Sequence, residues 1–573
     1  MEKKWIVKPL PQEEKIAELA SAINVDPIIA ALLIQRSVNT FDEAEKFFNP
    51  DLKNLYDPFL MDGMQEAIHR IDTAVEKNEK IMVYGDYDVD GTTSVAMVYS
   101  YINRFHTNLE YYIPERYNEG YGISYKGIDY AQQSGVSLVI ALDCGIKAVE
   151  KIKYASERGI DFIICDHHLP GDEIPKAVAV LNPKKPNCSY PFKELSGCGV
   201  GFKLLQGYSI HKGFDMELLY KYLDMVAVSI ASDIVPIINE NRILAYHGLK
   251  KLNANPCEGL KAIRKTAKIE PSQELTINDI VFKIGPRINA AGRIKKGIFA
   301  VDLLISLDET DAYEKAKGIN ICNDERKDLD QTIFQEALKL ISDDPDSPNK
   351  KSTILYDPEW HKGVVGIVAS RLIEYHYKPT IIFTKSNGFI TGSARSVDGF
   401  DLYKAIDACG DLLENYGGHM YAAGLTLKPE KLYDFKTRFE RIVEETIEPD
   451  QLIPRIEIDA ELPPDRINDK FFRIIDRFQP FGPGNMTPLF VSNGMSDSGY
   501  GKTVGKNHEH LKLDLKHSSC PKAIFPSIAF QMGSLVEKVA ISKHFNVCYS
   551  IEKNEFMGQT TLQLRIRDIH MES

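Results

Sequence analysis

Lys80-Ile81-Met82-Val83-Tyr84-Gly85-Asp86-Tyr87-Asp88-Val89-Asp90-Gly91 is a short apolar strand that runs straight into three acidic residues at alternate positions. Two later stretches are built the same way. Leu138-Val139-Ile140-Ala141-Leu142 runs into Asp143-Cys144-Gly145, and Asp161-Phe162-Ile163-Ile164-Cys165 runs into Asp166-His167-His168. From about Lys80 to Ala231 such apolar runs alternate with helical patterns, which is how βαβ units around a parallel sheet read in sequence. Thr92 to Asn103 reads as the first crossover helix. Sheets of this kind place their chemistry at the carboxyl ends of the strands, where these carboxylates and imidazoles would gather.

The rest of the chain sets the frame. Its 573 residues are enough for roughly three or four domains. Hydrophobic content of 43% and charged content of 26% exclude a largely disordered chain. Nine scattered cysteines without a Cys-x-x-Cys pair suggest neither a disulfide framework nor a zinc ribbon, and a reducing cytoplasm is the simplest setting. No apolar run approaches the roughly 18 residues that span a bilayer. The net charge of -12 counts against nucleic-acid binding through a diffuse basic surface. It leaves room for a locally basic groove, and for an acidic excess that serves as metal ligands.

Asp308 to Asp343, with apolar positions at Leu329, Ile333, Ala337, Leu338 and Ile341, reads as one long helix linking two lobes. Asp344-Pro345-Asp346-Ser347-Pro348 ends it, and a second α/β region follows from Ser352 to about Glu445. After Pro454 the texture changes to alternating strands such as His510 to Leu515 and Thr561 to Arg567, the pattern of a small antiparallel β domain.

Hydrolysing a phosphodiester at neutral pH needs an activated water and a stabilised anionic transition state, and two divalent cations held close together supply both. Asp88, Asp90, Asp143, His167 and Asp233 would offer mostly hard oxygen ligands and one imidazole, which suits Mg²⁺ or Mn²⁺ and tilts the choice toward Mn²⁺. A lone aspartate after a strand is more often a turn or cap residue; three strands that end alike reverse that reading. Gly91 and Gly145 suit tight turns, and Cys144 and Cys165 read as buried small hydrophobes.

The motif from Gly85 to Gly91, the isolated Asp143, Asp166-His167-His168 and Ala231-Ser232-Asp233-Ile234-Val235-Pro236 resemble, in order and spacing, the four motifs of the DHH phosphoesterases. Gly285-Pro286-Arg287-Ile288-Asn289-Ala290-Ala291-Gly292-Arg293 is similar to a signature of the RecJ family, bacterial exonucleases specific for single-stranded DNA. The stretches Gly363 to Leu372, Gly392 to Ser396 and Gly417-Gly418-His419 resemble the DHH-associated domain of that family, and Phe478 to Asn485 the entry to its OB-like domain. The resemblance implies an α/β fold: a parallel-sheet DHH catalytic domain, a long connecting helix, a second α/β (DHH-associated) domain and a carboxyl-terminal OB-like β-barrel. The expected boundaries are 1–75 for a helical segment packed on the catalytic domain, 76–305 for the catalytic domain, 306–345 for the helix, 346–450 for the DHH-associated domain and 451–573 for the OB-like domain.

By the same resemblance, Asp88 and Asp143 hold one ion, Asp90, Asp143, His167 and Asp233 the other, and His168 faces the scissile phosphate. In many DHH enzymes a histidine precedes the first of the paired aspartates by four residues; here that position is Tyr84, and Asp86 is the candidate substitute ligand or supporting group. Arg287 and Arg293 are read as guanidinium forks for phosphate on a small, tightly turning segment, with Asn289 between them. Arg371, Ser393, Arg395, Gly418 and His419 extend that set to the second lobe, where the resemblance places the 5′ end of the strand. Two aromatic and basic clusters are candidate strand contacts: Tyr111, Tyr112, Arg116, Tyr117 and Tyr121, and Lys502, Lys506, His508, His510 and Lys512.

The implied function is a metal-dependent 5′ to 3′ exonuclease that converts single-stranded DNA to 5′-mononucleotides in repair and recombination. It would act as a monomer, with a helicase and a single-strand-binding protein as partners and no membrane. A DHH phosphodiesterase acting on short oligonucleotides or cyclic dinucleotides is the alternative, and an inactive scaffold in a replication complex the third reading.

Overall fold

The computed structural model describes residues 3–556 and 559–571, and the chain forms two compact units. One comprises Leu55–Val235 and Asn239–Pro454; the other comprises Met1–Asn54, Pro236–Ile238 and Arg455–Ser573.

The larger unit contains the predicted parallel sheet. Its five strands lie in the order Leu109–Tyr112, Lys80–Gly85, Val136–Leu142, Asp161–Cys165, Ala179–Leu181, and every neighbouring pair is parallel. Gly85, Leu142 and Cys165 are register partners across three strands, so Asp86, Asp143 and Asp166 leave the sheet side by side. That register turns three separate sequence motifs into one site. The first crossover helix is Val89–Ile102. It starts three residues earlier than the apolar pattern suggests, because Asp88 caps it by accepting from the Gly91 N–H at 3.0 Å. Asp90 and Gly91 therefore belong to the first helical turn rather than to a loop.

The long helix spans Glu309–Asp343, about 50 Å at 1.5 Å per residue. Its first half packs on the helices Glu258–Thr266 and Gly285–Ile294. In its second half Ile333, Phe334, Ala337 and Ile341 share a buried cluster with Trp360, Val364 and Val368. The second α/β region has a five-stranded mixed sheet in the order Asn415–His419, Ala422–Leu427, Phe389–Arg395, Thr380–Ser386, Thr353–Tyr356, in which only the last pairing is parallel.

The smaller unit holds a seven-stranded sheet in which Phe490–Asp497, Phe545–Phe556, Gln559–Met571, Phe525–Ala529 and His510–Lys516 follow one another. A short pairing, Ser496 with Lys516 and Asp497 with Leu515, brings the first of these back to the last, which gives a partly closed OB-type barrel. The sheet is mixed rather than antiparallel as expected, since Phe525–Ala529 runs parallel to its neighbour Gln559–Met571.

The expected placement of residues 1–75 on the catalytic domain is corrected in part. Lys4–Val7 pairs in parallel with Arg455–Ile458. Helices Glu13–Ile23, Pro27–Ile34 and Phe41–Phe48 contribute to one core with Phe471, Phe478, Phe490, Leu513 and Tyr549 of the carboxyl-terminal domain. From Leu55 on the chain belongs to the larger unit, where the turn Pro58–Leu60 and the helix Met64–Glu76 pack against Gly197–Lys212. The apolar stripe on the first helices demands a partner, and strand-forming residues some 450 positions away in sequence provide it. Among the described residues no single helix is long and apolar enough to cross a membrane.

Candidate active site

Each acidic or imidazole group of the site is aimed by a different local device. Asp90, in the first turn of its helix, has both oxygens fixed: Oδ2 accepts from the Gly197 N–H at 2.7 Å, and Oδ1 accepts from the Cys198 N–H at 2.8 Å and the Ser229 hydroxyl at 2.7 Å. Gly197 and Cys198 open the helix Gly197–Lys212, whose positive end thus faces a carboxylate. Ser196 caps that helix and lies 2.7 Å from the Ser229 hydroxyl. Asp143 sits in the left-handed region at φ 58, where the chain leaves its strand. An added Cβ on Gly197 would lie 2.6 Å from Asp143 Cβ and 2.7 Å from Oδ1, so helix and aspartate approach as closely as glycine permits.

His167 is the centre of the group. Its Nε2 lies 3.2 Å from Asp143 Oδ1, 3.5 Å from Asp233 Oδ2 and 3.7 Å from Asp90 Oδ2, its side chain is only 7% exposed, and neither ring nitrogen has a hydrogen-bond partner. Asp143 Oδ1 is equally buried and unpartnered. Burial holds His167 below the ordinary imidazole value, in the neutral form that can ligate. Burial, then the charges of Asp90 and Asp88, push Asp233 up to about 8, and burial with the same neighbours raises Asp143 well above the carboxylate range. Carboxylates this crowded resist common ionisation unless a cation joins them. Orphaned Asp143 Oδ1 and His167 Nε2, with the carboxylates of Asp90 and Asp233 beside them, make a donor set mostly of oxygen with one imidazole, which fits a divalent ion of the Mg²⁺ or Mn²⁺ kind.

Asp143, His167 and His168 form one group of potential ligands within 4.8 Å of one another, and Asp90, His167 and Asp233 a second. Asp88 and Asp86 lie outside both. Asp88 is near enough for its charge to raise Asp86, Asp143 and Asp233, though one of its oxygens already caps the helix. Asp86 is fully buried, accepts from the Gly122 N–H at 3.0 Å through Oδ1, and has an unpartnered Oδ2. Tyr84 grips the same loop, since its hydroxyl donates to the Gly122 carbonyl at 3.0 Å and accepts from the Ser124 N–H at 3.2 Å. The tyrosine thus supports the loop that orients Asp86.

Asp166 accepts from the Ile146 N–H at 2.9 Å, the His167 N–H at 2.8 Å and His168 Nδ1 at 2.7 Å. Burial works to raise Asp166, but the His168 hydrogen bond and charge hold it down to about 2. Burial likewise works to lower His168, and the Asp166 bond outweighs it, holding the imidazole up at about 9. His168 is therefore a half-exposed cation at neutral pH, with Nε2 3.2 Å from the Tyr121 hydroxyl. Tyr121 also bonds the Asp143 carbonyl at 3.3 Å, and Arg116 lies over the Tyr87 ring at 4.9 Å. Tyr111 and Tyr112 are engaged elsewhere, by Asp302 and Glu119.

The crowding fixes the sign of a pH effect. Because Asp233 is raised from 3.8 to about 8, the metal-free fold keeps a proton that the unfolded chain releases near pH 4. Its contribution is harmless below that pH and destabilising as pH rises through about 8. In melts with EDTA, Asp233→Asn should gain on the parent far more at pH 8 than at pH 4, with the gain growing across that interval; an equal difference at both would refute the crowding.

The segment from Gly285 to Arg293 is a helix, Gly285–Ile294, entered through a π-turn at Ile280–Ile284, and not the tight turn its glycines suggest. Those glycines give room instead: a Cβ on Gly292 would meet the Tyr87 carbonyl oxygen at 2.6 Å, and one on Gly285 the Ser232 hydroxyl at 2.7 Å. Arg287 is braced, with Nε donating to Asn320 Oδ1 at 3.0 Å and a terminal nitrogen to the Lys283 carbonyl at 2.6 Å. Asn289 is half-buried on the same helix. Arg293 donates to the Gly363 carbonyl at 2.9 Å. Burial, then the charges of Arg116, Arg326 and Arg395, bring it down to about 10, so four guanidinium groups share one neighbourhood.

Arg395 donates to the Ser370 hydroxyl at 3.1 Å and is held low by burial. In register, Ala422 lies between Arg395 and His419, and Gly424 pairs with Ser393, so Ser393 and Arg395 on one strand and Gly418 and His419 on another flank the strand Ala422–Leu427. Arg371 is committed elsewhere: it lies 3.4 Å from Asp330 and covers the Phe334 ring at 4.1 Å. Sequence reasoning missed Ser196 and Gly197, whose only signal is a serine before the glycine-rich run Gly197-Cys198-Gly199-Val200-Gly201, and Ser229, which lies in an apolar helix and carries no such signal.

In the smaller unit, Lys502 and Lys512 are register partners. His510 packs edge-on to Phe530 with ring centroids 4.9 Å apart, and Arg565 lies 5.1 Å from the same ring.

Comparison with known proteins agrees with this construction. The profile of the DHH family N-terminal domain matches residues 80–230, that of the DHHA1 domain residues 349–445, and that of the RecJ OB domain residues 458–568. The single-stranded-DNA-specific exonuclease RecJ of Bacillus subtilis is 35% identical over 97% of this chain and 70% of its own length. That of Escherichia coli is 31% identical over 95% of this chain and 96% of its own. The crystal structure of Thermus thermophilus RecJ in complex with Mn²⁺ superposes with a TM-score of 0.85 at 26% identity, covering 100% of this chain and 80% of that one. A further structure of the same protein contains Mg²⁺. With identity sustained across the catalytic, DHH-associated and OB domains, the chain belongs to the RecJ family.

Proposed function

We infer that the chain is a metal-dependent exonuclease that hydrolyses single-stranded DNA from its 5′ end to 5′-mononucleotides. The observation that carries this is the convergence of Asp90, Asp143 and Asp233 on His167 Nε2 in the same unit as the guanidinium cluster around Arg293. Asp90, Asp143, His167 and Asp233 would hold one ion, with Asp88, Asp143 and Asp86 available to a second. When bound, such ions polarise a phosphoryl oxygen and lower the pKa of a water.

The chain's own groups do the rest. His168, kept cationic by Asp166, would bring its positive charge to a scissile phosphate, its Nε2 N–H turning from the Tyr121 hydroxyl to a phosphate oxygen when the strand is bound. Arg293, Arg395, Ser393, Gly418 and His419 offer guanidinium, hydroxyl, amide and imidazole donors to a terminal phosphate, which would count the strand off from that end. The face around Lys502, Lys512, His510 and Phe530 supplies cations and an aromatic platform for further nucleotides, each stacked base contributing roughly 1 to 3 kcal/mol. A role in repair and recombination, a helicase and a single-strand-binding protein as partners, a monomeric state and a cytoplasmic location complete the reading.

The test is digestion of end-labelled single and double strands, a dinucleotide and pyrophosphate with each divalent ion in turn. Mononucleotide release from the 5′ end of long single strands, dependent on Mn²⁺ or Mg²⁺, is expected. Preference for the dinucleotide or pyrophosphate would sink the reading in favour of a small-substrate phosphodiesterase.

A further inference from the structure

The residue after Asp233 is in a conformation that its side chain resists. Ile234 has φ 59, and among the described residues it is the only β-branched one in the left-handed region. The others there are glycines and residues such as Asn24, Asn78, Asp143 and Gln531, whose unbranched Cβ fits more readily.

Packing does not compensate, since Ile234 is 62% exposed. The flanking residues are each anchored within their own unit. On one side the Asp233 N–H closes its helix on the Ser229 carbonyl at 2.9 Å. On the other, Val235 is buried and the N–H of the fully buried Ile237 donates to the Pro483 carbonyl at 2.7 Å. Residue 234 takes a positive φ, which glycine or asparagine would adopt with less resistance. An isoleucine that strains the backbone and lies in water adds nothing to the fold, so its use lies with something that arrives from outside.

We propose that the Ile234 side chain is a substrate contact, an apolar surface that packs on the deoxyribose and base of the nucleotide held at the Asp233 side of the metal centre. The chemistry matches: Asp233 reaches to 3.5 Å from His167 Nε2, and a deoxyribose offers beside its phosphate a carbon face without a 2′-hydroxyl. Covering an exposed isoleucine with such a face removes apolar surface from water on both partners. The proposal rests on single-stranded DNA being the substrate.

The test compares the parent with Ile234→Gly and Ile234→Val in three measurements: thermal melting, Mn²⁺ binding followed by electron paramagnetic resonance, and steady-state cleavage of a 5′-labelled single strand. Ile234→Gly should melt at the parent's temperature or higher, bind Mn²⁺ as the parent does, and show a KM for DNA raised about tenfold with kcat within about twofold. Ile234→Val should stay within about twofold of the parent in KM. An unchanged KM in Ile234→Gly, or a KM that rises only together with a fall in melting temperature and Mn²⁺ affinity, would overturn the proposal. Strand binding with Ca²⁺ in place of the active ion separates this idea from the exonuclease reading. A parent that binds the strand but never cleaves it, and binds it more weakly as Ile234→Gly, would refute the activity and keep the contact.

Discussion

Asp143→Ala should reduce cleavage of single-stranded DNA on the order of 10³-fold or more, equivalent to about 4 kcal/mol of lost transition-state stabilisation. Asp143 is the nearest of the three carboxylates to His167 Nε2, at 3.2 Å, and its Oδ1 is buried without any hydrogen-bond partner. It thus serves no structural bond through that oxygen, and its removal should not unfold the protein. Taking away one of several crowded carboxyls even relieves repulsion, because burial and its acidic neighbours hold Asp143 well above the usual range. The variant should melt within a few degrees of the parent in EDTA, relief of repulsion offsetting the poorer fit of alanine at φ 58, while losing most of its response to Mn²⁺. Cleavage at the parental rate on a 5′-phosphorylated strand would show that the site is misassigned.

Gly197→Ala should be the second most damaging small change, and its effect runs against intuition. In the first turn of a helix, alanine is ordinarily favoured over glycine by up to about 1 kcal/mol. Here the new methyl would sit 2.6 Å from Asp143 Cβ and 2.9 Å from its Cγ. Either the aspartate or the helix end must retreat, and the helix end carries the two N–H groups that fix Asp90. Both proposed ligands are thus displaced by one methyl group. Mn²⁺ affinity should fall roughly 10- to 100-fold, as when groups that orient metal ligands are altered. Titration of the metal by calorimetry decides it, and parental affinity would mean that the helix yields without moving the carboxylates.

The sequence disclosed the parts of this site whose signal is local. An apolar strand followed at once by a carboxylate can be read within ten residues, and the equal register of Gly85, Leu142 and Cys165 then brings the motifs together. Ser229 and Gly197 could not be read in this way. Each acts on a carboxylate that lies 54 or more positions away, through a contact that folding alone creates. Glycine also misled. Gly285 and Gly292 suggested a turn, yet they lie in a helix that needs them small against Ser232 and Tyr87. The amino-terminal helices were recognisable as helices, but an apolar stripe states only that a partner exists, and the partner turned out to be the carboxyl-terminal barrel.

That last pairing has a consequence for how the protein is made. Lys4–Val7 leaves the ribosome some 450 residues before its neighbour Arg455–Ile458. At synthesis rates of about 5 to 20 residues per second, the first strand and its helices wait roughly 20 to 90 s for the other half of their core. During that interval the larger unit has nearly all of its own chain available, whereas Ile29, Leu32 and Leu33 have no permanent cover. These helices are thus translated long before they can be buried, and they are a stretch of the nascent chain in need of a chaperone.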